Sequence, residues 1–209
     1  QSEDCEVLIK ELNGGIAPNM VPDSAKAVLS VKDKVLFKAA FDKFADEKNL
    51  PVTLTNLGDD MVIDARGISA HGSTPEKGEN AITHLMSFLG TVYNGGCSMC
   101  SFIRIYNERL ANNHHGESIG CGLEDDVSGK LNFNVGMITL KDNEIIITIN
   151  VSYPIKSTAQ EVYEGIRDNL KDTPILLAEG KSDSKPLYVP VDNFLVETFM
   201  KVYQEHTGD

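Results

Sequence analysis

Histidine is the side chain best suited to move a proton or bind a metal near neutral pH, and the chain holds five: His71, His84, His114, His115 and His206. No two of them stand in an H-x-x-x-H or H-E-x-x-H arrangement, so no single helix face offers two imidazoles to one metal. His84 falls inside an apolar helical pattern and His114-His115 inside a polar stretch. His206 falls near a helix C-terminus, where a protonated ring suits the dipole. The four cysteines stand at 5, 97, 100 and 121. Cys97-Ser98-Met99-Cys100 is one C-x-x-C without a second pair, half of what a structural zinc site uses, and reads as reduced thiols beside a helix. There is no G-x-S-x-G elbow, G-x-G-x-x-G turn or Walker loop. His71 stands apart, on a strand-to-helix turn between Ala70, Gly72 and Ser73. Small neighbours leave its ring room to project and let another surface come close, although a structural turn histidine fits the same spacing.

The elements that must position these residues follow from periodicity. An apolar run over 5–12 ends at Gly14-Gly15, and Pro18-Asn19-Met20-Val21-Pro22 is a stiff turn. Ala25, Ala27 and Leu29 alternate as in a strand. Asp33 caps a helix with Phe37, Ala40, Phe41 and Phe44 on one face, Pro51 stops it, and strands follow over 52–57 and 61–65. Ser73 and Glu76 have capping-box spacing ahead of a helix carrying Ile82, Leu85, Met86 and Leu89. Gly95-Gly96 ends that helix, another is expected over 98–110, and 112–129 reads as an exposed loop. Strands over 131–138 and 144–153 flank a hairpin turn at Asp142-Asn143. A capping box at Ser157 and Gln160 opens a helix with Val162, Ile166 and Leu170. Strands are expected over 174–179 and 185–189, then a last helix capped by Asp192. The order strand, strand, helix, strand thus occurs twice, over 5–57 and 131–179. It predicts an α+β fold of antiparallel sheets covered on one face by helices.

The chain has 209 residues, 41% hydrophobic and 24% charged, which excludes wholesale disorder. Scaling predicts about 9,600 Å² of exposed surface for a compact chain of this mass. A net charge of −12 and the lack of any Lys/Arg run argue against nucleic-acid binding. No apolar stretch approaches roughly 18 residues, so no membrane span is expected. The first residues show neither a signal-peptide pattern nor an initiator Met, which leads to the expectation of a processed chain or a fragment in the cytoplasm.

The segment Gly67-Ile68-Ser69-Ala70-His71-Gly72-Ser73-Thr74-Pro75-Glu76-Lys77-Gly78-Glu79-Asn80-Ala81 resembles the G-x-x-x-H-[AG]-S-x-P-x-x-G-x-N-A signature of the di-zinc aminoacylase, carboxypeptidase and dipeptidase family. More narrowly it is similar to the bacterial dipeptidase V (PepV) type. Asn19-Met20-Val21-Pro22-Asp23 resembles that type's N-M-V-P-D turn. Gly129-Lys130-Leu131-Asn132-Phe133-Asn134-Val135-Gly136 resembles its G-x-L-T-x-N-x-G segment. Lys185-Pro186-Leu187-Tyr188-Val189-Pro190 resembles its return into the catalytic domain.

The resemblance implies a doubled ferredoxin-like lid over residues 1–183, built of two similar α+β halves, with 184–209 starting the segment that returns to the catalytic domain. It implies two zinc ions held by regions outside this chain, which itself supplies no metal ligand. A short peptide is the implied substrate and the protein's own catalytic domain the implied partner, with a homodimer of the chain as a further state. It gives His71 the role of stabilising the oxyanion on the scissile carbonyl, and Asn19 that of positioning the substrate. The isolated chain would be inactive. One position departs from the pattern. Where such dipeptidases carry an arginine for the substrate carboxylate in N-[IV]-R-Y-P, this chain reads Asn150-Val151-Ser152-Tyr153-Pro154. A hydroxyl cannot form a charged bidentate fork, and Arg66 and Arg104 are substitutes only by charge. Ser152 therefore keeps open an alternative, a non-catalytic binding or dimerisation module.

Overall fold

A computed structural model describes residues 6–180 and 183–208. Strands β1 (Val7–Gly14), β2 (Ser24–Val31), β3 (Val52–Leu57), β4 (Asp60–Arg66), β7 (Asn132–Lys141) and β8 (Glu144–Ser152) form one antiparallel sheet in the order β3-β4-β2-β1-β7-β8. A separate two-stranded ribbon pairs β5 (Glu124–Asp125) with β6 (Gly129–Lys130). The helices are α1 (Lys34–Lys48), α2 (Ala81–Val92), α3 (Ser98–Ile105), α4 (Ala159–Leu170) and α5 (Phe194–Thr207). The fold is α+β, as the sequence predicts.

One hydrophobic core joins one face of the sheet to α1 through α4. Period-2 alternation puts Ala25, Ala27 and Leu29 of β2 into it, while Lys10 bonds Asp60 at 2.8 Å on the other side. α2 lies deepest, with eight of its twelve residues buried between the sheet and its neighbouring helices. Phe88 is its centre. Phe37, Phe41 and Phe44, at i, i+4 and i+7 on α1, each meet it edge-on at 5.2–5.5 Å between ring centroids. Asp33 caps α1 through the Leu36 amide at 2.9 Å, as expected. Asp142 and Asn143 both adopt positive φ (51° and 64°), the backbone that a two-residue hairpin between twisted strands requires.

The twofold grammar survives in part. Each half gives an antiparallel strand pair followed by a helix, β1-β2-α1 and β7-β8-α4, and β1 joins β7 in the middle of one shared sheet. The fourth strand of the second half does not form. Residues 174–179 are irregular, and so are 185–189. Three caps shift. α4 is opened by a full capping box of Thr158 and Glu161 rather than Ser157 and Gln160, and α5 by Asn193 rather than Asp192. α2 begins later than Ser73 would have it, at Asn80, whose side chain accepts from the Ile82 amide at 2.9 Å.

The helix expected over 98–110 is α3 followed by one wider turn, Tyr106–Leu110. The stretch 112–129 is no exposed loop. Ile119 and Cys121 are buried, and Gly120 at positive φ lies so close to the Gly165 carbonyl of α4 that a side chain would not fit. Beyond α4 the chain stays on the body at first, with Ile175 and Leu177 packed against the core and the Gly180 amide donating to Tyr163 Oη at 3.0 Å. Residues 183–208 bury no side chain, and α5 exposes Phe194, Leu195, Phe199, Met200, Val202 and Tyr203. Among the described residues no helix is long and apolar enough to cross a membrane.

Candidate functional site

Two turns that are far apart in sequence are stitched together by their backbones. Met20 and His71 form an antiparallel bridge, with Val21 N–H donating to Ala70 O and Gly72 N–H to Asn19 O, both at 2.8 Å. Gly67 N–H donates to Asp23 O and Ala81 N–H to Pro22 O, both at 2.9 Å, which closes the far ends. The 67–81 segment also folds back on itself, Ile68 and Glu79 exchanging two bonds at 2.9 Å. His71 and Asn19 are thus neighbours across one backbone pairing, and both side chains are exposed.

Strand β7 fixes this pair of turns from below. Asn134, only 2% exposed, donates its two amide hydrogens to Pro18 O at 2.8 Å and Met20 O at 2.9 Å. Each such bond, made by a buried amide, contributes about 1 kcal/mol to holding the turn in place. Asn80 does two jobs. It caps α2, and its Nδ2 donates to Val135 O at 2.8 Å. Gly136 must be glycine, because a Cβ there would overlap the Pro18 carbonyl. Gly72 is nearly as constrained, its absent Cβ lying 3.0 Å from Asn19 O and 3.2 Å from Asn150 Oδ1. Asn150 and Ser152 share one face of β8, so the position where the resemblance expects arginine lies on the strand face that reaches this turn.

The His71 ring is oriented by Ser73. The Ser73 amide donates to His71 Nδ1 at 3.2 Å, and the Ser73 hydroxyl stands 2.7 Å from the same nitrogen. A backbone N–H can only donate, so Nδ1 accepts, and the proton of the neutral ring resides on Nε2. The ring offers a donor on its outer side. Sequence reasoning spent Ser73 on a helix cap. The signal for its actual partner was its place two residues after His71. Asn134 and Gly136 belong to the 129–136 segment, where nothing local marks them, and only the fold shows what they hold.

The other histidines lie elsewhere. His84 is buried, with Nδ1 bonded to Arg66 O at 2.7 Å, and is structural. His115 Nδ1 bonds Leu131 O at 3.0 Å, so this residue is tied to the body rather than solvated. His114 is half-buried with Nδ1 shielded and unpartnered, beside a small polar cavity of about 40 Å³ that Asn80, Asn113 and Asn134 also line. Burial chiefly lowers its pKa, with His115 adding to this and the nearby Glu76 charge opposing it. Arg104 of α3 pairs with Glu108 of the wider turn that follows at 3.6 Å, and Arg66 closes β4. Among the described residues no three His, Cys, Asp or Glu side chains are grouped so as to hold a metal ion.

No family model matches the chain. It is similar along its length to proteins that carry dipeptidase names. A "putative dipeptidase" of Staphylococcus epidermidis is 29% identical over 208 residues, 99% of this chain and 44% of that protein. A "putative dipeptidase YtjP" of Bacillus subtilis is 28% identical over 209 residues, the whole of this chain and 44% of that protein. A "putative dipeptidase SH1171" of Staphylococcus haemolyticus is 29% identical over 193 residues, 91% of this chain and 41% of that protein. The chain therefore spans less than half the length of the curated relatives it matches.

Proposed function

We propose that this chain is the substrate-capping lid of a zinc-dependent dipeptidase of the dipeptidase V type. Residues up to 183 form the cap, and 184–209 start the segment that rejoins the catalytic domain. In this reading His71 Nε2–H donates to the carbonyl oxygen of the scissile peptide bond as it gains negative charge, and Asn19 orients the substrate beside it. A donor already aimed at the place where charge develops, with no reorganisation to undergo, typically contributes about 3–4 kcal/mol to the transition state.

The observation that carries the reading is the Ser73 amide on His71 Nδ1, which leaves the Nε2 proton of an exposed ring on its outer side, on a turn whose backbone pairs with that of Asn19. The exposed apolar side of α5 supports the division at 183, since a folded chain does not leave Phe194, Phe199 and Tyr203 in water without a partner surface. In this reading the two zinc ions that the resemblance implies are held outside this chain; among the described residues no three His, Cys, Asp or Glu side chains are grouped to hold a metal. What the chain itself contributes is binding, orientation and one hydrogen bond.

Ser152 sets what the substrate carboxylate meets. Without an arginine fork the free C-terminus is held less strongly, which broadens the substrate to short peptides whose carboxylate is bound elsewhere. The test is an assay of the complete protein carrying this chain against a panel of dipeptides and their C-terminal amides. Hydrolysis is expected, lost on chelation and restored by zinc, with amides cleaved within about tenfold of the free acids. A zinc-loaded protein that cleaves none of them is instead the non-catalytic module that Ser152 left open.

A further inference from the structure

Two sulfurs meet at the start of α3, beyond the end of α2 that lies away from the His71 turn. Cys97 is the N-cap residue of α3, and the Cys100 amide donates to its Sγ at 3.3 Å. Cys100 Sγ stands 2.8 Å from Cys97 Sγ. Both thiols are free. Two thiolates on one tetrahedral zinc, each about 2.3 Å from the metal, would stand ~3.8 Å apart. The observed pair is closer than a shared metal allows and lies within about 1 Å of the separation in a disulfide.

The two cysteines are unequal. Cys100 is buried in the core at 7% exposure, while Cys97 is only partly buried. The loop before them is bare. A side chain on Gly96 would meet nothing within 4 Å, and one on Gly95 would meet only Cys100 Sγ, at 3.7 Å. A molecule approaching from solvent therefore reaches Cys97 first, with Cys100 directly behind it. Cys121 is the contrast. It is fully buried, and burial pushes its thiol up to about 12, which leaves it unreactive.

We propose that Cys97 and Cys100 are a redox-active dithiol that closes to a disulfide by exchange with a small-molecule disulfide of the glutathione class. Cys97 loses its proton to solvent, and its sulfur attacks one sulfur of glutathione disulfide. The S–S bond of glutathione disulfide breaks, a Cys97–glutathione mixed disulfide forms, and one glutathione leaves with the electron pair and takes up a proton. Cys100 then loses its proton and attacks Cys97 Sγ, which releases the second glutathione in the same way. The protein pair is oxidised by two electrons, and one glutathione disulfide becomes two glutathiones.

The experiment treats the complete protein with glutathione disulfide, blocks remaining thiols with an alkylating reagent, and maps peptides by mass. The peptide carrying both cysteines is expected to lose two hydrogens and to fall at least about tenfold in alkylation at both positions, with a thiol reductant restoring both. In Cys100→Ser the second step is removed, so glutathione should remain attached at Cys97. Wild-type protein in which both thiols stay alkylatable, or in which the Cys97–glutathione adduct persists unresolved, would overturn the proposal. The wild-type readout decides the matter even if Cys100→Ser does not fold.

Discussion

The proton on His71 is placed by a residue two positions along the chain, and the neighbouring histidines show how differently the same side chain is used. His84 and His115 each give Nδ1 to a backbone carbonyl and serve the fold. His114 has no such partner on Nδ1, and burial lowers its pKa. The consequence for stability has a definite sign. A histidine whose pKa is lowered on folding binds the proton more readily when unfolded. Stability is then complete above the ordinary value of 6.5 and falls as the pH drops below it. Urea unfolding at about pH 7.5 and about pH 5 should show wild type losing more stability on acidification than His114→Asn. Equal losses in the two proteins would remove His114 from the account. None of this was legible in the sequence, where His114-His115 looked like solvated loop residues. The burial comes from Gly116 and Gly120, whose positive φ folds the 112–129 stretch against the body.

At the scale of elements, the site is a pairing of two turns, and its precision depends on how closely their backbones approach. Gly72→Ala puts a methyl group 3.0 Å from Asn19 O and 3.2 Å from Asn150 Oδ1, so the turns must part by a few tenths of an ångström. If the proposed function holds, a shift of that size should lower turnover of the complete protein roughly tenfold while changing stability by less than about 1 kcal/mol. Unchanged turnover would mean that the spacing of Asn19 and His71 has no bearing on the reaction. Much of this scale could be read in advance. The period-2 alternation in β2, the phenylalanine stripe of α1 and the Asp142-Asn143 turn all have local causes, and each appears where its cause is. The caps of α2, α4 and α5 moved because Ser, Thr, Asp and Asn crowd each of those starts, and only the tertiary fit selects one. Asn80 is chosen at α2 because the same side chain also reaches Val135 O. The strand over 174–179 does not form: Ile175 and Leu177 pack against the core without joining the sheet, and whether an apolar segment pairs is set by tertiary contacts that no local pattern records.

The whole molecule exposes 12,565 Å², well above the roughly 9,600 Å² expected of a compact chain of its mass. The tail adds to the excess, since its helix α5 buries no residue and shows an apolar side to solvent. In the complete protein that side should be covered, so the amides of α5 should exchange with solvent slowly, and in the 209-residue chain alone quickly. Fast exchange in both would show that α5 has no partner and would undo the division at residue 183. The central claim is narrower: an exposed imidazole, locked by Ser73 with its Nε2 proton outward, stabilises charge on a substrate held by another part of the protein. The most direct test is kcat of the complete, zinc-loaded protein with His71→Ala, on a dipeptide that the wild type cleaves. The account predicts a fall of roughly 10²–10³-fold, the usual effect of deleting one oxyanion donor, with the unfolding midpoint nearly unchanged. A His71→Ala protein with wild-type kcat would contradict it.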